Sequence, residues 1–492
     1  MNQYIIGIDQ STQGTKAVLV DQSGRILLRK DRPHRQIISE LGWVSHDPEE
    51  IYQNTLTIVR ELIAETGVQE EALFGVGISN QRETTVAFHE DGKPVTDAIV
   101  WQCSRAKDIV AKMAEENPGF AETVEEKTGI PFSPFFPAAK IRWLIENCLA
   151  DEAGAVDLSS VRFGTMDSYL VYRLTEGRSY KTDYSNASRY ELMNIRTLHW
   201  DEELLSSFGI PKASLPEICD SNASFGETTF GGLLKKPLPI LSVMGDSHAA
   251  LYAQGCHKKG MVKTTYGTGS SIMMNIGTEF KRSSCGLATS VAYAADGEIN
   301  YGLEGNINYT GAVISWLRDQ VQLITSPAEV EPLARLANPD DTTVLVPAFT
   351  GLSAPHWAND AKATITGMTR TTGRNELCKA ALESIAFQIT DILSAMETDA
   401  GLQIGEIRVD GGPTRNAYLM QFQADLSDCT VSVPEMEEFS ALGVSFMAGE
   451  KAGIMDGSVF EKCTRKLYRP QMTEGKRQEK KALWADAIRR TL

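Results

Sequence analysis

The chain opens with Tyr4-Ile-Ile-Gly-Ile-Asp-Gln-Ser-Thr-Gln-Gly-Thr-Lys-Ala-Val-Leu-Val20, the stretch that decides its fold. Its short, β-branched apolar runs are typical of buried strands, and the small polar residues between them are typical of a tight turn. Continued to residue 28, the pattern predicts strands at Tyr4–Ile8, Lys16–Val20 and Arg25–Leu28, with turns at Asp9–Thr15 and Asp21–Gly24. The sequence therefore predicts that the chain begins with a three-stranded meander.

A helix and a further strand are predicted directly after this meander. Asp47 is a typical N-cap, Pro48 suits a first helical turn, and acidic residues follow it, so we expect a helix over residues 48–66. Leu73–Ser79 is another apolar run of strand length. A meander followed by a helix and a strand indicates an α/β fold in which a mixed sheet is covered by helices.

A related pattern returns in the second half of the chain. Strands are predicted at Met261–Tyr266 and Ser270–Asn275, with the turn Gly267–Gly269 between them, and Glu406–Val409 precedes a helix over residues 416–425. This weak internal repeat predicts two similar α/β domains that face one cleft. We place the boundary near residue 254, which gives domains 1–253 and 254–492.

Composition excludes several classes of protein. The 492 residues are 42% hydrophobic and 23% charged, as in globular proteins, and the formal net charge is −16. Such an acidic chain without a basic cluster is a poor match for nucleic acid or an anionic membrane, although backbone N–H groups can still hold a small anion. The chain has no recognisable signal peptide, no long apolar span, and eight scattered Cys without a C-x-x-C pair. These features predict a cytoplasmic protein with reduced thiols.

Three glycine-containing turns follow predicted strands and could hold phosphate. In the Asp9–Lys16 turn, Gly14 and the small hydroxyl residues let N–H groups converge on an anion, and Asp9 could hold magnesium through water. Tyr266-Gly-Thr-Gly269 and Asp410-Gly-Gly412 are the other two turns. Ordinary hairpin turns are the alternative for each of them. The chain has neither a P-loop motif nor a G-x-G-x-x-G fingerprint.

Polar and aromatic residues near strand ends could bind and activate a second substrate. Arg82 and Glu83 directly follow the Leu73–Ser79 strand and could grip vicinal hydroxyls, whereas a surface salt bridge is the alternative. Trp101 and Phe135 could be flat walls for a carbon skeleton or simply core aromatics. Asp246 follows a predicted strand and is a natural general base for a hydroxyl. We expect its neighbour His248 to line the substrate or the core rather than to act as the base.

Together these segments resemble the FGGY family of carbohydrate kinases. The matching stretches keep a consistent order from residue 5 to residue 425, and spans 135–147 and 363–383 resemble the two family signatures. They are IIGIDQSTQGTKAVLVD, GISNQRETT, AIVWQCSR, FFPAAKIRWLIEN, DYSNASR, GMVKTTYGTG, LVPAFTGLSAPHW, ITGMTR, ALESIAFQ, RVDGGPTRN and LMQFQAD. The resemblance implies two ribonuclease H-like, actin-like domains with mixed sheets, closing over a deep cleft. It also implies transfer of the γ-phosphoryl group of ATP, with magnesium, to a polyol or ketose hydroxyl.

The resemblance also implies roles for individual residues. A first phosphate loop would include Thr12, Gln13, Gly14 and Lys16, a second would include Gly267 and Thr268, and the adenine nucleotide would meet Gly311, Ser315, Gly412 and Asn416. Asp246 would be the catalytic base. The acceptor pocket would comprise Arg82, Glu83, Trp101, Phe135, Asp246 and Ser271, and magnesium would be held, through water, by Asp9 and Asp246.

Three departures from the family pattern concern the acceptor pocket. Relatives that phosphorylate glycerol usually carry Tyr at the position of Phe135, Phe at that of Ser271, and Gln-Gln at Ser247-His248. These differences favour an acceptor that is larger or more hydroxylated than glycerol, such as a tetritol, pentitol or ketopentose (xylulose, for example), and glycerol itself stays open. The alternatives are an actin-like or chaperone-like ATPase and a catalytically silent sugar sensor. The partner is expected to be a small molecule, and a homodimer and a homotetramer both remain open.

Overall fold

The computed structural model describes residues 2–149, 158, 160–358 and 360–492, and its first half is built on a six-stranded sheet. In this N-terminal sheet the spatial order is Glu227–Thr228, Leu238–Gly245, Leu73–Asn80, Tyr4–Gln10, Gly14–Asp21 and Ile26–Pro33. The last three strands form the predicted antiparallel meander, and Tyr4–Gln10, Leu73–Asn80 and Leu238–Gly245 run parallel. The meander and the strand after residue 72 are therefore confirmed.

The first hairpin turn is tighter than the sequence predicts. Strand pairing continues through Asp9 opposite Lys16 to Gln10 opposite Thr15, so only Ser11–Gly14 lie outside this ladder, and Gly14 already pairs with Pro33 of the third strand. The Asp9 side chain is buried and accepts a hydrogen bond from Ser79 Oγ at 3.0 Å. Because a neighbouring strand satisfies this carboxylate, its polarity does not end the strand.

The second half is built on a seven-stranded C-terminal sheet. Its spatial order is Ala288–Ala295, Glu298–Ile307, Ser270–Gly277, Val262–Tyr266, Glu406–Asp410, Thr430–Pro434 and Arg465–Tyr468. Val262–Tyr266 is antiparallel to Ser270–Gly277 and parallel to Glu406–Asp410, which is parallel to Thr430–Pro434. Both sheets thus continue a set of antiparallel strands with two parallel strands, as the predicted repeat requires, although in the second sheet the edge strand Ala288–Ala295 pairs with Glu298–Ile307 and not with Ser270–Gly277.

Helices cover both sheets, and a smaller sheet extends the first half. The α-helices are Pro48–Thr66, Lys107–Glu116, Phe120–Thr128, Pro137–Leu144, Met166–Leu174, Tyr184–Ala187, Glu202–Phe208, Asp246–Ala253, Gly311–Asp319, Val330–Leu336, Arg374–Ala400, Ala417–Ser427, Phe439–Lys451 and Glu474–Thr491. The small sheet comprises Ile37–Ile38, Val44–His46, Ala98–Ile99, Thr85–His89 and Val161–Thr165. Short strand pairs are Lys181–Asp183 with Glu217–Cys219, Met193–Asn194 with His199–Trp200, and Val344–Val346 with Thr364–Thr366. The helix predicted at 48–66 is confirmed, with the Asp47 carboxylate accepting from the Glu49 and Glu50 N–H groups.

Two helices pack against each other where the halves of the chain meet. Asp246–Ala253 continues directly from the N-terminal sheet and contacts the C-terminal sheet, whereas Phe439–Lys451 comes from the second half and lies on the N-terminal sheet. The close contact between the two helices requires glycine at position 443, because a Cβ there would lie 1.9 Å from the Ala249 carbonyl oxygen. The helix pair therefore joins the two halves closely beside Asp246. In the described ranges, no helix is long and apolar enough to cross a membrane.

Candidate active site

The site begins where the parallel strands of the N-terminal sheet end. The pairing of these parallel strands places Asp9 beside Ser79, and Gly245 beside Asn80. Asp246 therefore follows at the same edge, where it is the first residue of the helix Asp246–Ala253. Its side chain is 35% exposed. The strand ends thus bring two carboxylates, from Asp9 and Asp246, to one edge of the sheet.

Arg82 is the centre of a buried network of charges. Its Nε lies 3.2 Å from Asp246 Oδ1, and its Nη1 and Nη2 donate to the two carboxylate oxygens of Glu304 at 2.9 and 2.8 Å. Nη2 also donates to Ser247 Oγ at 3.4 Å. Three of the five guanidinium N–H groups donate hydrogen bonds here, and the Nε side faces Asp246 in an ion pair, so little of the group is left for an acceptor hydroxyl. Arg82 therefore links Asp246 to the buried carboxylate of Glu304.

Glu83 bonds to a different arginine. Arg189 Nε donates to Glu83 Oε1 at 2.6 Å, and Arg189 Nη1 lies 2.8 Å from Glu304 Oε2. Glu304 is fully buried, and although burial by itself would raise the pKa of its carboxyl, the guanidiniums of Arg189 and Arg82 lower that pKa well below its usual range. The predicted Arg82–Glu83 pair is therefore part of a four-residue network in which the two residues bond to different partners.

Glu304 joins this network from the opposite sheet. It lies on the Glu298–Ile307 strand of the C-terminal sheet, and Ser271 Oγ, on the neighbouring strand, donates to its Oε1 at 3.2 Å. The structure thus brings Ser271 together with Arg82 across the cleft, through one shared carboxylate.

The two predicted aromatic walls also lie together. The ring centroids of Trp101 and Phe135 are 5.5 Å apart. Trp101 Nε1 donates to Thr12 Oγ1 at 3.0 Å, which links this wall to the first predicted phosphate loop. The wall and the loop therefore belong to one continuous surface.

In the first predicted phosphate loop, Gln13 is exposed and Gly14 has no room for a side chain. A Cβ at Gly14 would lie 2.6 Å from the Arg32 carbonyl oxygen. The Lys16 ammonium is paired with Glu438 Oε2 at 2.9 Å, so it has a carboxylate partner already. Burial raises the pKa of Asp9 to about 6, the Lys16 charge opposes this, and the charges of Asp246 and Glu438 add to it.

The predicted nucleotide residues of the second half gather at the ends of the C-terminal strands. The Gly311 N–H donates to the Gly267 carbonyl at 2.9 Å, and the Thr310 N–H donates to the Thr268 carbonyl at 2.9 Å. Ser315 follows on the helix Gly311–Asp319. Gly412 begins the turn after the Glu406–Asp410 strand, and the preceding glycine at 411 has a φ of +98° and abuts the Tyr266 carbonyl. The Asn416 side chain caps the following helix by accepting from the Leu419 N–H.

The donor set suits a weakly held magnesium ion rather than a closed metal cage. Among the described residues, no cluster of three His, Cys, Asp or Glu side chains could hold a metal. Asp9 and Asp246 supply two carboxylates at one edge, and magnesium commonly binds one or two carboxylates together with waters and substrate phosphates. The residues present therefore fit that ion.

Sequence reasoning missed Arg189 and Glu304. Arg189 belongs to a stretch that resembles the family, but nothing in its spacing indicates a partner. Glu304 is the single charged residue of the segment Tyr301-Gly-Leu-Glu-Gly-Asn306, in the interior of its strand, and a lone charge in such a segment is the signal that could have identified it.

Comparison with known proteins agrees with this geometry. The family model described as the N-terminal domain of the FGGY family of carbohydrate kinases matches residues 4–253, and that of the C-terminal domain matches residues 262–451. A glycerol kinase of Aliivibrio fischeri (strain ES114) is 40% identical over 491 residues, covering 99% of this chain and 97% of the relative. Glycerol kinase 1 of Thermotoga maritima is 43% identical over 493 residues and covers 99% of both chains.

Among solved structures, the crystal structure of Plasmodium falciparum glycerol kinase with ADP superposes with a TM-score of 0.92 at 33% identity, covering 100% of this chain and 98% of that one. These matches, together with the two mixed sheets, identify a phosphoryl-transfer enzyme of the sugar-kinase class. The chain belongs to the FGGY family of carbohydrate kinases. It is an ATP-dependent sugar or polyol kinase similar to glycerol kinases, and its acceptor is a small molecule.

Proposed function

We propose that Asp246 is the general base of this kinase and that its acceptor is a polyol or ketose larger than glycerol. One observation carries the first part: the Asp246 side chain is 35% exposed, whereas Arg82, Glu83, Arg189 and Glu304 around it are at most 9% exposed. The network thus holds several buried charges and presents one carboxylate to the cleft. His248 is a weaker candidate, because burial, together with the charge of Arg82, keeps its pKa well below its usual range.

In the proposed reaction, Asp246 accepts the proton of the attacking acceptor hydroxyl. The hydroxyl oxygen forms a bond to the γ-phosphorus as the bond to the ADP oxygen breaks. The Arg82 Nε fixes the Asp246 carboxylate, so the base does not need to reorient during the transfer. Asp9 and Asp246 would hold magnesium, through water, and the ion would neutralise charge on the phosphates.

The nucleotide would lie between the two glycine-containing phosphate loops. We propose that the first comprises Thr12, Gln13, Gly14 and Lys16, and that the second comprises Gly267 and Thr268, with Gly311, Ser315, Gly412 and Asn416 beside the nucleotide. Hydrogen bonds between the 267–268 loop and residues 310–311 support this grouping. For Lys16 to meet a phosphate it must exchange its Glu438 partner, so nucleotide binding would compete with that ion pair.

We expect an acceptor larger than glycerol because the proposed pocket differs from that of glycerol-specific relatives at three places, Phe135, Ser271 and Ser247-His248. Phe135 packs beside Trp101 and lacks the usual hydroxyl. Ser271 replaces a phenyl ring with a small side chain that donates to Glu304, and Ser247 Oγ lies 3.4 Å from Arg82 Nη2. A smaller side chain at position 271 adds both room and a polar group, which suits a longer hydroxylated chain.

We propose two domains, 1–253 and 254–492, with the boundary close to the gap between the two matched family ranges. The helix Phe439–Lys451 then packs on the sheet of the first domain. A cytoplasmic location, the lack of a nucleic-acid or membrane partner, and assembly as a homodimer or homotetramer stay predictions.

Coupled measurement of ADP release tests this proposal. Purified protein with ATP and magnesium is assayed with glycerol, tetritols, pentitols and ketopentoses. We expect acceptor-dependent release, with a higher kcat/KM for a four- or five-carbon acceptor than for glycerol. ADP release that is independent of any acceptor would overturn the kinase assignment, and a preference for glycerol would overturn the acceptor assignment.

A further inference from the structure

Lys140 is a fully buried lysine that the sequence analysis did not single out. It lies on the helix Pro137–Leu144 and has 0% exposure. Its Nζ donates to the carbonyl oxygens of Trp101 at 3.1 Å and Glu83 at 3.4 Å, and also to that of Phe135. Its acceptors are therefore all backbone groups, and an ammonium supplies three donors for three carbonyls.

The three carbonyls belong to residues of the proposed acceptor pocket that lie on separate segments. Glu83 follows the Leu73–Asn80 strand, Trp101 follows the Ala98–Ile99 strand, and Phe135 precedes the helix that carries Lys140. Glu83 also has a φ of +59°, a conformation that a non-glycine residue adopts at a cost. A single ammonium therefore fixes three peptide planes, and with them the directions of three pocket side chains.

We propose that Lys140 is a positioning residue that sets the shape of the acceptor pocket by holding the peptide groups of Glu83, Trp101 and Phe135. This inference rests on the proposed function, because it assigns those residues to the acceptor. A residue that only stabilised the fold would affect acceptor binding and nucleotide binding alike. Loss of the ammonium should weaken and reorder acceptor use while leaving nucleotide binding unchanged.

The same geometry predicts a dependence on pH. Burial lowers the pKa of Lys140 to about 7; the Glu83 charge opposes this, Cys103 and Glu191 oppose it only when ionised, and the Arg105 charge adds to it. Below this pKa the ammonium has a donor for each carbonyl, whereas above it the neutral amine has two N–H groups for three carbonyls. The acceptor KM should therefore rise above about pH 7, and the ATP KM should not follow it.

The experiment compares the wild type with Lys140→Met, which keeps the length of the side chain but removes the donors. We expect the acceptor KM to rise about tenfold or more and the ranking of acceptors to change, because small displacements of positioning groups are costly. The ATP KM should stay within about twofold of the wild-type value. That result would rule out a general loss of structure as the cause of the change in acceptor KM. In Lys140→Met the acceptor KM should lose its dependence on pH, and Lys140→Arg should recover part of the wild-type affinity.

Two matched controls separate positioning from stability. Lys107→Met removes an exposed lysine of the neighbouring helix Lys107–Glu116 and should change neither KM. Leu62→Ala opens a cavity in the fully buried face of the helix Pro48–Thr66, so it should lower the Tm without changing acceptor ranking.

The outcomes are distinguishable. If the wild type releases no ADP in response to any acceptor, the proposed function fails and this inference fails with it. If the wild type is active but Lys140→Met keeps the parental acceptor KM, ranking and pH profile, only this inference is wrong. If Lys140→Met does not fold, the pH dependence of the wild-type acceptor KM is the test instead. An acceptor KM that stays constant through pH 7 would overturn the inference.

Discussion

Replacement of Glu304 by Gln tests whether the cross-cleft network organises the site. Glu304 is fully buried and accepts from Arg82 at 2.9 and 2.8 Å, while Arg189 Nη1 lies at 2.8 Å. An amide of the same shape removes the negative charge and replaces one acceptor oxygen with an NH2 group, which faces the Arg82 guanidinium in either orientation. Removing one partner from a buried ion pair costs about 3–5 kcal/mol. In Glu304→Gln, Arg82 still has its ion pair with Asp246, and Arg189 still has its ion pair with Glu83. We therefore expect a loss at the lower end of this range, about 3 kcal/mol of unfolding free energy.

The pKa of Glu304 adds a pH signature to this prediction. Folding lowers this pKa below the ordinary value of 4.5, so the stabilisation is fully present above that value and is lost as the pH falls further. Acidification below about pH 4.5 should therefore destabilise the wild type more steeply than Glu304→Gln. Activity should fall as well, because Arg82 without its bonds to Glu304 is less firmly fixed and so holds the Asp246 carboxylate, which it still contacts, in a less defined position.

Thermal and urea unfolding are measured together with acceptor-dependent ADP release. Glu298→Gln is the matched control, because this exposed carboxylate lies on the same strand and accepts from Asn300 Nδ2 at 3.3 Å. It should change stability by no more than about 0.5 kcal/mol. A loss below about 1 kcal/mol in Glu304→Gln, with unchanged turnover, would refute the network as the organiser of the site.

Three further variants test other parts of the site. Asp246→Asn should reduce turnover by about 10²- to 10⁴-fold or more while ATP binding, followed by calorimetry, stays nearly intact; unchanged turnover would remove Asp246 as the base. Phe135→Tyr combined with Ser271→Phe should shift the kcat/KM ranking toward glycerol, and a parental ranking would contradict the pocket assignment. Gly443→Ala should lower the unfolding free energy by about 1–3 kcal/mol, because its Cβ would lie 1.9 Å from the Ala249 carbonyl oxygen. Gly475→Ala, in an open position of the C-terminal helix, should instead be neutral or stabilising by up to about 1 kcal/mol in the same denaturation assay.

Much of the local structure could be predicted because its causes lie within a few residues. The helix Pro48–Thr66 follows from the Asp47 cap and the proline in its first turn. The meander follows from alternation between apolar runs and small polar turns. Predicted boundaries differed where a distant partner intervened, as at Asp9, whose carboxylate is satisfied by Ser79 on another strand.

The candidate site could be predicted only in part, for a related reason. Arg82, Trp101, Phe135 and Asp246 each follow a strand or precede a helix, where an α/β sheet delivers functional residues. Lys140 and Arg189 have no such position, and their roles depend on carbonyls and carboxylates contributed by other segments.

The sequence by itself determined the strands, the turns, the helix caps and the residue types available at the strand ends, since propensity and hydrophobic periodicity act over neighbouring residues. Only the tertiary structure decided the partners. Arg82 is bound by Glu304, more than two hundred positions away, and not by the adjacent Glu83, which bonds to Arg189. The physical reason is that an ion pair depends on distance and burial, and both are set by how the two sheets meet across the cleft.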